Sequence, residues 1–227
     1  MGVVVRIISL VPSVTETLSA WDRTPIACTR FCERPDLLHV GGTKNPDIKK
    51  IIELAPDLVV LDAEENRLED HDRLVDSNIA VHVLHVLSLH DVNPSMSALA
   101  QRVGAQWTSL TLPPALPMRA RAFVPIWRRP WMALGTPTYG SSLLSHLGIA
   151  NIYEDEGPYP TVDLDDVARR TPDAILAPSE PYPFSLRHLA ELEQVAPTML
   201  IDGRDLFWWG VRTPDALTRL AQKFEAL

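Results

Sequence analysis

The chain writes nearly the same phrase twice, and this repeat constrains the fold more than any other feature. One copy, "DIKKIIELAPDLVVLDAE", begins at Asp47, and the other, "DLDDVARRTPDAILAPSE", begins at Asp163. Each copy reads as a short helix, a Pro-Asp turn, a buried apolar strand and a glutamate just beyond the strand. Two copies of one helix-strand unit indicate two equivalent α/β lobes.

The rest of the chain fits this interpretation, because helical segments alternate with short apolar runs typical of parallel strands. We predict an α/β protein of two Rossmann-like lobes with mostly parallel central sheets. The first lobe takes residues 1–88 and the second takes 130–227. Between them, 89–129 is a proline-rich connection with one shortened helix from Pro94 to Val103, because prolines further on prevent a long helix.

The N-terminus predicts a strand from Val3 to Val11, followed by a helix opened by a capping box of Ser13 and Glu16. No basic stretch precedes the apolar run, so the sequence as written predicts a cytoplasmic protein. A longer natural N-terminus would make it periplasmic or lipid-anchored. No window holds the roughly eighteen apolar residues of a membrane span, so membrane insertion is not expected.

Charge and motif content exclude several functional classes. The chain has 21 basic and 29 acidic residues, a formal charge of −8, and no basic block that would follow a nucleic acid. It has no phosphate loop, no Gly-x-Ser-x-Gly elbow and no metal-binding histidine pair. A dedicated metal site is therefore not expected. Its nearest candidates are Cys28, Cys32 and His188, and reduced thiols are favoured over a disulfide or a metal pair.

Carboxylates mark the predicted ligand-binding edge, since ligands of open α/β sheets collect outside the carboxyl ends of the strands. Glu64 and Glu180 follow the repeated strands and would approach one cleft between the lobes. Glu64 and Glu65 also open a predicted helix, so helix capping explains them equally well. Arg212 could pair with Glu180, with an acidic ligand group or in a surface ion pair.

Aromatic residues are dense in three loops and suit a flat macrocycle, although core packing is the alternative for each. Trp208 and Trp209 are adjacent, so we expect one to face inward and the other outward. The candidate aromatic contacts are Phe31, Tyr139, Tyr159, Trp208 and Trp209.

Several stretches resemble one family, the periplasmic binding proteins of the cobalamin and ferric-siderophore type, also called helical-backbone metal receptors. They are "RIISLVPSVTETL", "VGGTKNPDIKKIIELAPDLVV" and "YPTVDLDDVARRTPDAILAPSE"; "TRFC", "EENR", "SEPYPF" and "DGRDLFWWGVR" resemble a signal-less, poorly characterised branch. The resemblance implies a type III solute-binding-protein fold. It also implies a corrinoid, haem or ferric-chelate ligand between the lobes, with Phe31 at a position where the cobalamin receptor uses an aromatic residue.

The resemblance also suggests partners. The family's cobalamin receptor presents one acidic residue per lobe to permease arginines, and Lys49 and Asp165 occupy the matching positions. Docking on an ABC permease through Asp165 would be weakened by Lys49, because like charges repel. We therefore expect a solute-binding protein of the ABC-importer type or a cytoplasmic carrier. The alternative is a cytoplasmic enzyme that acts on a small molecule through cleft carboxylates or Cys32, with no catalytic residue assigned.

Overall fold

The computed structural model describes residues 5–227 and divides the chain into two compact units. Unit 1 holds the residues up to Val86, then His90–Leu110 and Trp209–Arg212; unit 2 holds Leu87–Leu89, Thr111–Trp208 and Thr213–Leu227. The segment 89–129 is thus shared between the units. The lobe boundaries at residues 88 and 129 stay a prediction.

Unit 1 is built on a five-stranded sheet in which every pair is parallel. Its strands lie in the order β3-β2-β1-β4-β5, with β1 (Ile7–Ser9), β2 (Ala27–Cys28), β3 (Leu38–His39), β4 (Leu58–Asp62) and β5 (Val81–Leu84). The predicted N-terminal strand is present as β1 but is shorter than the predicted run to Val11, which is instead the N-cap of α1; Val3 and Val4 lie outside the described residues. All five residues of β4 are buried, as a central strand covered on both faces requires.

Four helices accompany this sheet: α1 (Pro12–Ala20), α2 (Ile48–Glu53), α3 (Leu68–Asp76) and α4 (Leu89–Val103). The predicted capping box at Ser13 is wrong. The helix begins one residue earlier because Pro12 has the fixed backbone angle that suits a first helical position, and Val11 is its N-cap without a side-chain hydrogen bond. Ser13 is therefore inside the helix, and Glu16 is available for another partner.

The helix α4 is longer than predicted. It begins at Leu89 and contains Pro94, whereas the sequence suggested a start at that proline. A proline near a helix start removes a single backbone hydrogen bond, and the fifteen residues of α4 tolerate this loss.

Unit 2 contains a four-stranded parallel sheet in the order β12-β11-β6-β9 and a three-stranded antiparallel sheet in the order β10-β8-β7. The strands are β6 (Ala120–Phe123), β7 (Pro125–Trp127), β8 (Trp131–Ala133), β9 (Ile149–Asn151), β10 (Thr161–Val162), β11 (Ala174–Pro178) and β12 (Thr198–Ile201). The helices are α5 (Tyr139–His146), α6 (Leu164–Arg169), α7 (Leu186–Leu192), α8 (Gly203–Phe207) and α9 (Thr213–Lys223), with a final 3₁₀ turn at Phe224–Ala226.

The repeated phrase forms equivalent structures in the two units, as predicted. In each copy an aspartate caps the helix: Asp47 accepts a hydrogen bond from the N–H of Lys50, and Asp163 accepts one from that of Asp166. The helices α2 and α6 then lead into the buried strands β4 and β11.

A second aspartate fastens each repeat to the neighbouring strand. Asp57 accepts a hydrogen bond from the N–H of Arg6 at 2.8 Å, and Asp173 accepts one from the N–H of Arg121 at 2.7 Å. Asp57 and Asp173 are the second residues of the Pro-Asp turns, so the turn forms the same type of side-chain to backbone hydrogen bond in both units.

No helix in the described part of the chain is both long and apolar enough to cross a membrane.

Candidate functional site

Several buried polar groups of unit 1 lie at the carboxyl ends of its strands: Ser9, Thr29 and Asp62. The strand β4 ends at Asp62, which is only 3% exposed, and a turn over the next residues follows it. One carboxylate oxygen of Asp62 accepts hydrogen bonds from the N–H groups of Glu64 (2.9 Å) and Glu65 (3.2 Å). Within the described part of the chain, the other oxygen is buried without a hydrogen-bond partner.

Burial governs the ionisation of Asp62. It raises the pKa of this carboxyl to about 6, against the opposing effect of the two backbone N–H groups. Asn66 completes the turn: its side-chain oxygen accepts the N–H of Asp62 at 2.9 Å, and its amide donates to the carbonyl of Thr43 at 2.9 Å.

The same turn decides the positions of the predicted carboxylates. Glu64 is half-buried and Glu65 is exposed, and both lie in the turn. The expectation that they open a helix is wrong, because α3 begins only at Leu68, after the Asp62 carboxylate has already bound the backbone N–H groups of the turn. Helix capping therefore does not account for Glu64 and Glu65.

The turn after β2 presents Phe31 at the same edge. Its ring is 50% exposed, and the guanidinium of Arg30 lies 4.7 Å from the ring centroid. The backbone N–H of Phe31 donates to the hydroxyl of Thr29 at 3.3 Å. Beneath the turn lie Cys28 and Cys32, both buried and both free thiols.

In unit 2, Glu180 lies just beyond β11 and is half-buried. Gly203, the first residue of α8, packs against it so closely that a Cβ atom at this glycine would lie 2.6 Å from the Glu180 nitrogen and 2.5 Å from its Cγ. The N–H of Gly203 also donates to the Ser179 hydroxyl at 2.9 Å. The backbone therefore holds Glu180 in one place.

An aromatic cluster lies next to that loop. Trp127 and Tyr182 meet edge to face at 5.6 Å, Tyr182 and Phe184 are 4.8 Å apart, and Trp131 stacks on Phe184 at 6.0 Å. Trp127 is exposed, whereas Phe184 is buried in the core of unit 2. Arg128 pairs with Glu191 at 2.8 Å beside the cluster.

The comparisons with known proteins agree with this architecture. No protein-family model matches the chain. The vitamin B12-binding protein of Pectobacterium atrosepticum is 26% identical over 202 residues, which cover 75% of this chain and 70% of that protein.

Solved structures give the same picture. The periplasmic vitamin B12-binding protein of Vibrio cholerae aligns with a TM-score of 0.78 and 21% identity, over 97% of this chain and 96% of that one. A periplasmic heme-binding protein of Pseudomonas aeruginosa also aligns with a TM-score of 0.78, at 16% identity over 96% of this chain and 92% of that one.

The chain is thus similar in sequence to vitamin B12-binding proteins and shares the fold of periplasmic vitamin B12- and heme-binding proteins. Its type III solute-binding-protein fold, predicted from the sequence, is confirmed.

Within this fold, the adjacent tryptophans differ from expectation. Trp208 is 8% exposed and Trp209 is 5% exposed, so both are buried and neither faces outward. They can both be buried because the chain changes unit between them: Trp208 packs in unit 2 and Trp209 in unit 1. The alternation expected of one extended strand does not apply to a segment that joins two cores.

Tyr139 and Arg212 are also engaged in structure. Tyr139 is 3% exposed, and its hydroxyl lies 3.1 Å from that of Thr213 in the core of unit 2. Arg212 forms a two-pronged ion pair with Glu16 at 2.5 and 2.9 Å, a partner that the sequence analysis did not name. Tyr159, in contrast, is exposed on the loop between β9 and β10.

Among the candidate metal residues, His188 has a capping role. His188 accepts the backbone N–H of Ser185 at 3.1 Å and packs edge to face against Phe184, so it caps α7. No group of three or more His, Cys, Asp or Glu side chains among residues 5–227 is arranged to hold a metal ion.

Sequence reasoning missed two groups of this site. It passed over Asp62, although a carboxylate at the end of a fully apolar strand is a signal of a buried charge. It also named no aromatic residue of "SEPYPF" or "WRRPW" as a site residue, although their density of rings was visible.

Proposed function

We propose that the protein is a solute-binding protein for a metal chelate or tetrapyrrole-like compound: cobalamin, haem or a ferric siderophore. The observation that carries this proposal is the likeness, over nearly the whole chain, to proteins named for binding vitamin B12 or heme. In this proposal the compound is bound and released unchanged.

The proposed contacts are the accessible residues at the carboxyl ends of each unit's strands. Exposed rings stack on a planar conjugated system, and Phe31 and Tyr159 have this exposure. Glu64, Glu65 and Glu180 supply carboxylates, which accept hydrogen bonds from a ligand. We propose that the buried candidates Tyr139, Trp208 and Trp209, together with the partly buried Arg212, support these contacts without touching the ligand.

The same carboxylates favour cobalamin among the three ligands. A corrinoid carries amide side chains that donate hydrogen bonds to carboxylates, whereas the propionates of haem would be repelled by them. The formal charge of −8 also disfavours a ligand with negatively charged propionates.

A thermal-shift and absorbance titration with cobalamin, haem and a ferric siderophore tests the proposal. A ligand at 100 times its dissociation constant adds about 2.7 kcal/mol of stability, which raises the melting temperature measurably. Phe31→Ala should weaken binding, and Leu68→Ala, an exposed apolar residue on α3, is the matched control. The absence of a shift with all three compounds would refute the proposal.

Permease docking is proposed at the outer helices. Lys49 and Asp165 are exposed and occupy equivalent positions, each two residues after the aspartate that caps α2 or α6. Delivery to an ABC importer requires a location outside the cytoplasm, and carriage inside the cytoplasm is the other form of the proposal. Cell fractionation distinguishes them. If docking occurs, Lys49→Glu should strengthen co-purification with the permease and Asp165→Lys should weaken it.

A further inference from the structure

The chain has two cysteines, and both lie in one buried cluster of unit 1. Cys28 ends β2, and Cys32 follows after a turn in which its N–H donates to the carbonyl of Thr29 at 3.2 Å. Cys28 is fully buried and Cys32 nearly so. The fold therefore places two thiols four residues apart beneath one turn, in a chain that otherwise avoids cysteine.

Hydroxyl groups surround one of the two sulfurs. Thr15 donates to Cys32 Sγ at 3.2 Å, and the hydroxyl of Thr29 also lies 3.2 Å from this sulfur. Thr15 Oγ1 lies 2.9 Å from the hydroxyl of Ser9 as well. Donors directed at a sulfur stabilise its thiolate form.

The two thiols are unequal as a result. Interaction with Cys28 and the hydroxyl hydrogen bonds lower the pKa of Cys32 to about 6, despite its burial. Interaction with Cys32, together with burial, raises the pKa of Cys28. One nucleophilic thiolate beside one protonated thiol is the arrangement of a dithiol that reacts in two steps.

We propose that Cys28 and Cys32 form a redox-active dithiol that closes to an intrachain disulfide and so alters the turn that presents Phe31. The oxidant is a small-molecule disulfide, such as oxidised glutathione. In the first step the Cys32 thiolate attacks one sulfur of the oxidant, the oxidant's S–S bond breaks, and a glutathione thiolate leaves.

The second step completes the electron balance. Cys28 gives its proton to solvent or to the departed thiolate, and its sulfur attacks Cys32. The mixed disulfide breaks, and the second glutathione leaves as a thiolate that takes a proton from solvent. Two protein thiols are oxidised to one disulfide, while one glutathione disulfide is reduced to two thiols.

Oxidation changes the support of Phe31. A disulfide holds the two sulfurs about 2.05 Å apart, so the sulfurs must approach each other, and Cys32 loses the thiolate charge that attracts the hydroxyls of Thr15 and Thr29. Thr29 also accepts the N–H of Phe31, so the weakened contacts belong to the turn itself. This consequence for ligand binding rests on the proposed function, whereas disulfide formation does not.

Thiol counting tests the dithiol directly. The reduced full-length protein is incubated with oxidised glutathione, then unfolded, and its thiols are titrated and its intact mass measured. We expect both thiols to be lost, with a monomer lighter by two hydrogens, and dithiothreitol to restore them. The rate should reach half its plateau near pH 6, although burial makes it slower than that of an exposed thiol. Two titratable thiols after oxidation, or a disulfide between chains, would overturn the proposal.

Single variants separate the roles of the two sulfurs. Cys28→Ser should stop at the glutathione adduct of Cys32, because no second thiol resolves it. Cys32→Ser should leave one thiol that does not react in the folded protein. Circular dichroism checks that each variant is folded. An adduct that forms equally well on Cys28 in Cys32→Ser would contradict the assigned order.

Ligand titration of the reduced and oxidised forms tests the coupling to Phe31. A different dissociation constant for cobalamin or haem in the two forms supports it, and equal constants refute the coupling while the dithiol stands. Binding to neither form refutes the proposed function and leaves the thiol result unaffected.

Discussion

Arg212 and Glu16 form a two-pronged ion pair across 196 positions of the chain. The guanidinium Nε and Nη2 each donate to one carboxylate oxygen, so the segment Trp209–Arg212 is fastened to α1 within unit 1. Gly210 makes this close approach feasible, because a Cβ atom there would lie 2.3 Å from the Thr17 hydroxyl and its φ of 110° suits glycine. An ion pair and a glycine therefore hold the segment that carries Trp209 close to α1.

A double-mutant cycle should find this ion pair coupled. We expect Glu16→Gln and Arg212→Met to show a coupling free energy of about 1–2 kcal/mol in urea unfolding, because the pair is partly shielded and both ends are charged. Lys49 and Glu53, an exposed pair 3.8 Å apart on α2, should give at most about 0.5 kcal/mol in the same experiment. Equal coupling in the two cycles would mean that the Arg212 pair has no special role.

Truncation of Trp209 should destabilise the protein strongly, whereas truncation of Phe31 should leave its stability almost unchanged. Trp209→Ala removes a buried ring and is expected to cost about 3–5 kcal/mol of unfolding free energy, so a loss of ligand binding in this variant would reflect the fold. Phe31→Ala removes an exposed ring, so its unfolding free energy should change by less than about 0.5 kcal/mol. Denaturant melts of both variants make the comparison. A large destabilisation by Phe31→Ala would disqualify it as a clean binding probe.

Much of the fold was predictable because it follows from local patterns. The repeat at Asp47 and Asp163 predicts helix, turn and strand in both units, and each boundary depends on neighbouring residues alone. The start of α1 was missed because Ser13 fits a capping pattern as well, and only the chain's path decides that Pro12 begins the helix. The length of α4 was missed because Pro94 is a local signal that packing overrides.

The candidate site was less predictable, because exposure depends on the whole fold. Phe31 and Trp209 look alike in sequence, yet one is exposed and the other is buried. The ion-pair partner of Arg212, Glu16, lies near the other end of the chain and was not named from the sequence. Distant contacts of this kind leave no signal in one sequence.

The Pro-Asp turns should contribute equally in the two units. Asp57→Ala and Asp173→Ala each remove an acceptor for a backbone N–H of the neighbouring strand, so we expect each to lower the unfolding free energy by about 1 kcal/mol. Asp72→Ala, which removes an exposed pairing with His71, should stay within about 0.5 kcal/mol. Chemical denaturation measures all three, and a cost in only one unit would contradict the equivalence of the two turns.

Asp62 should make the stability depend on pH. Because its folded-state pKa, about 6, lies above that of an unfolded aspartate, the folded state holds one more proton at intermediate pH. The stabilisation from the protonated carboxyl is therefore full below about pH 4 and is lost as the pH rises through about 6. The pKa of Asp62 is raised because its buried oxygen has no hydrogen-bond partner, so a negative charge there is poorly solvated.

Asp62→Asn isolates this effect, because an amide keeps an oxygen for the N–H groups of Glu64 and Glu65 but does not titrate. Urea melts at several pH values should show that the unfolding free energy of the native protein falls, relative to that of the variant, by on the order of 2–3 kcal/mol between pH 4 and 7. The other titrating groups remain in both proteins, so the difference between the two curves reports Asp62. Parallel curves would show that Asp62 ionises normally, and its buried oxygen would then have to be hydrated.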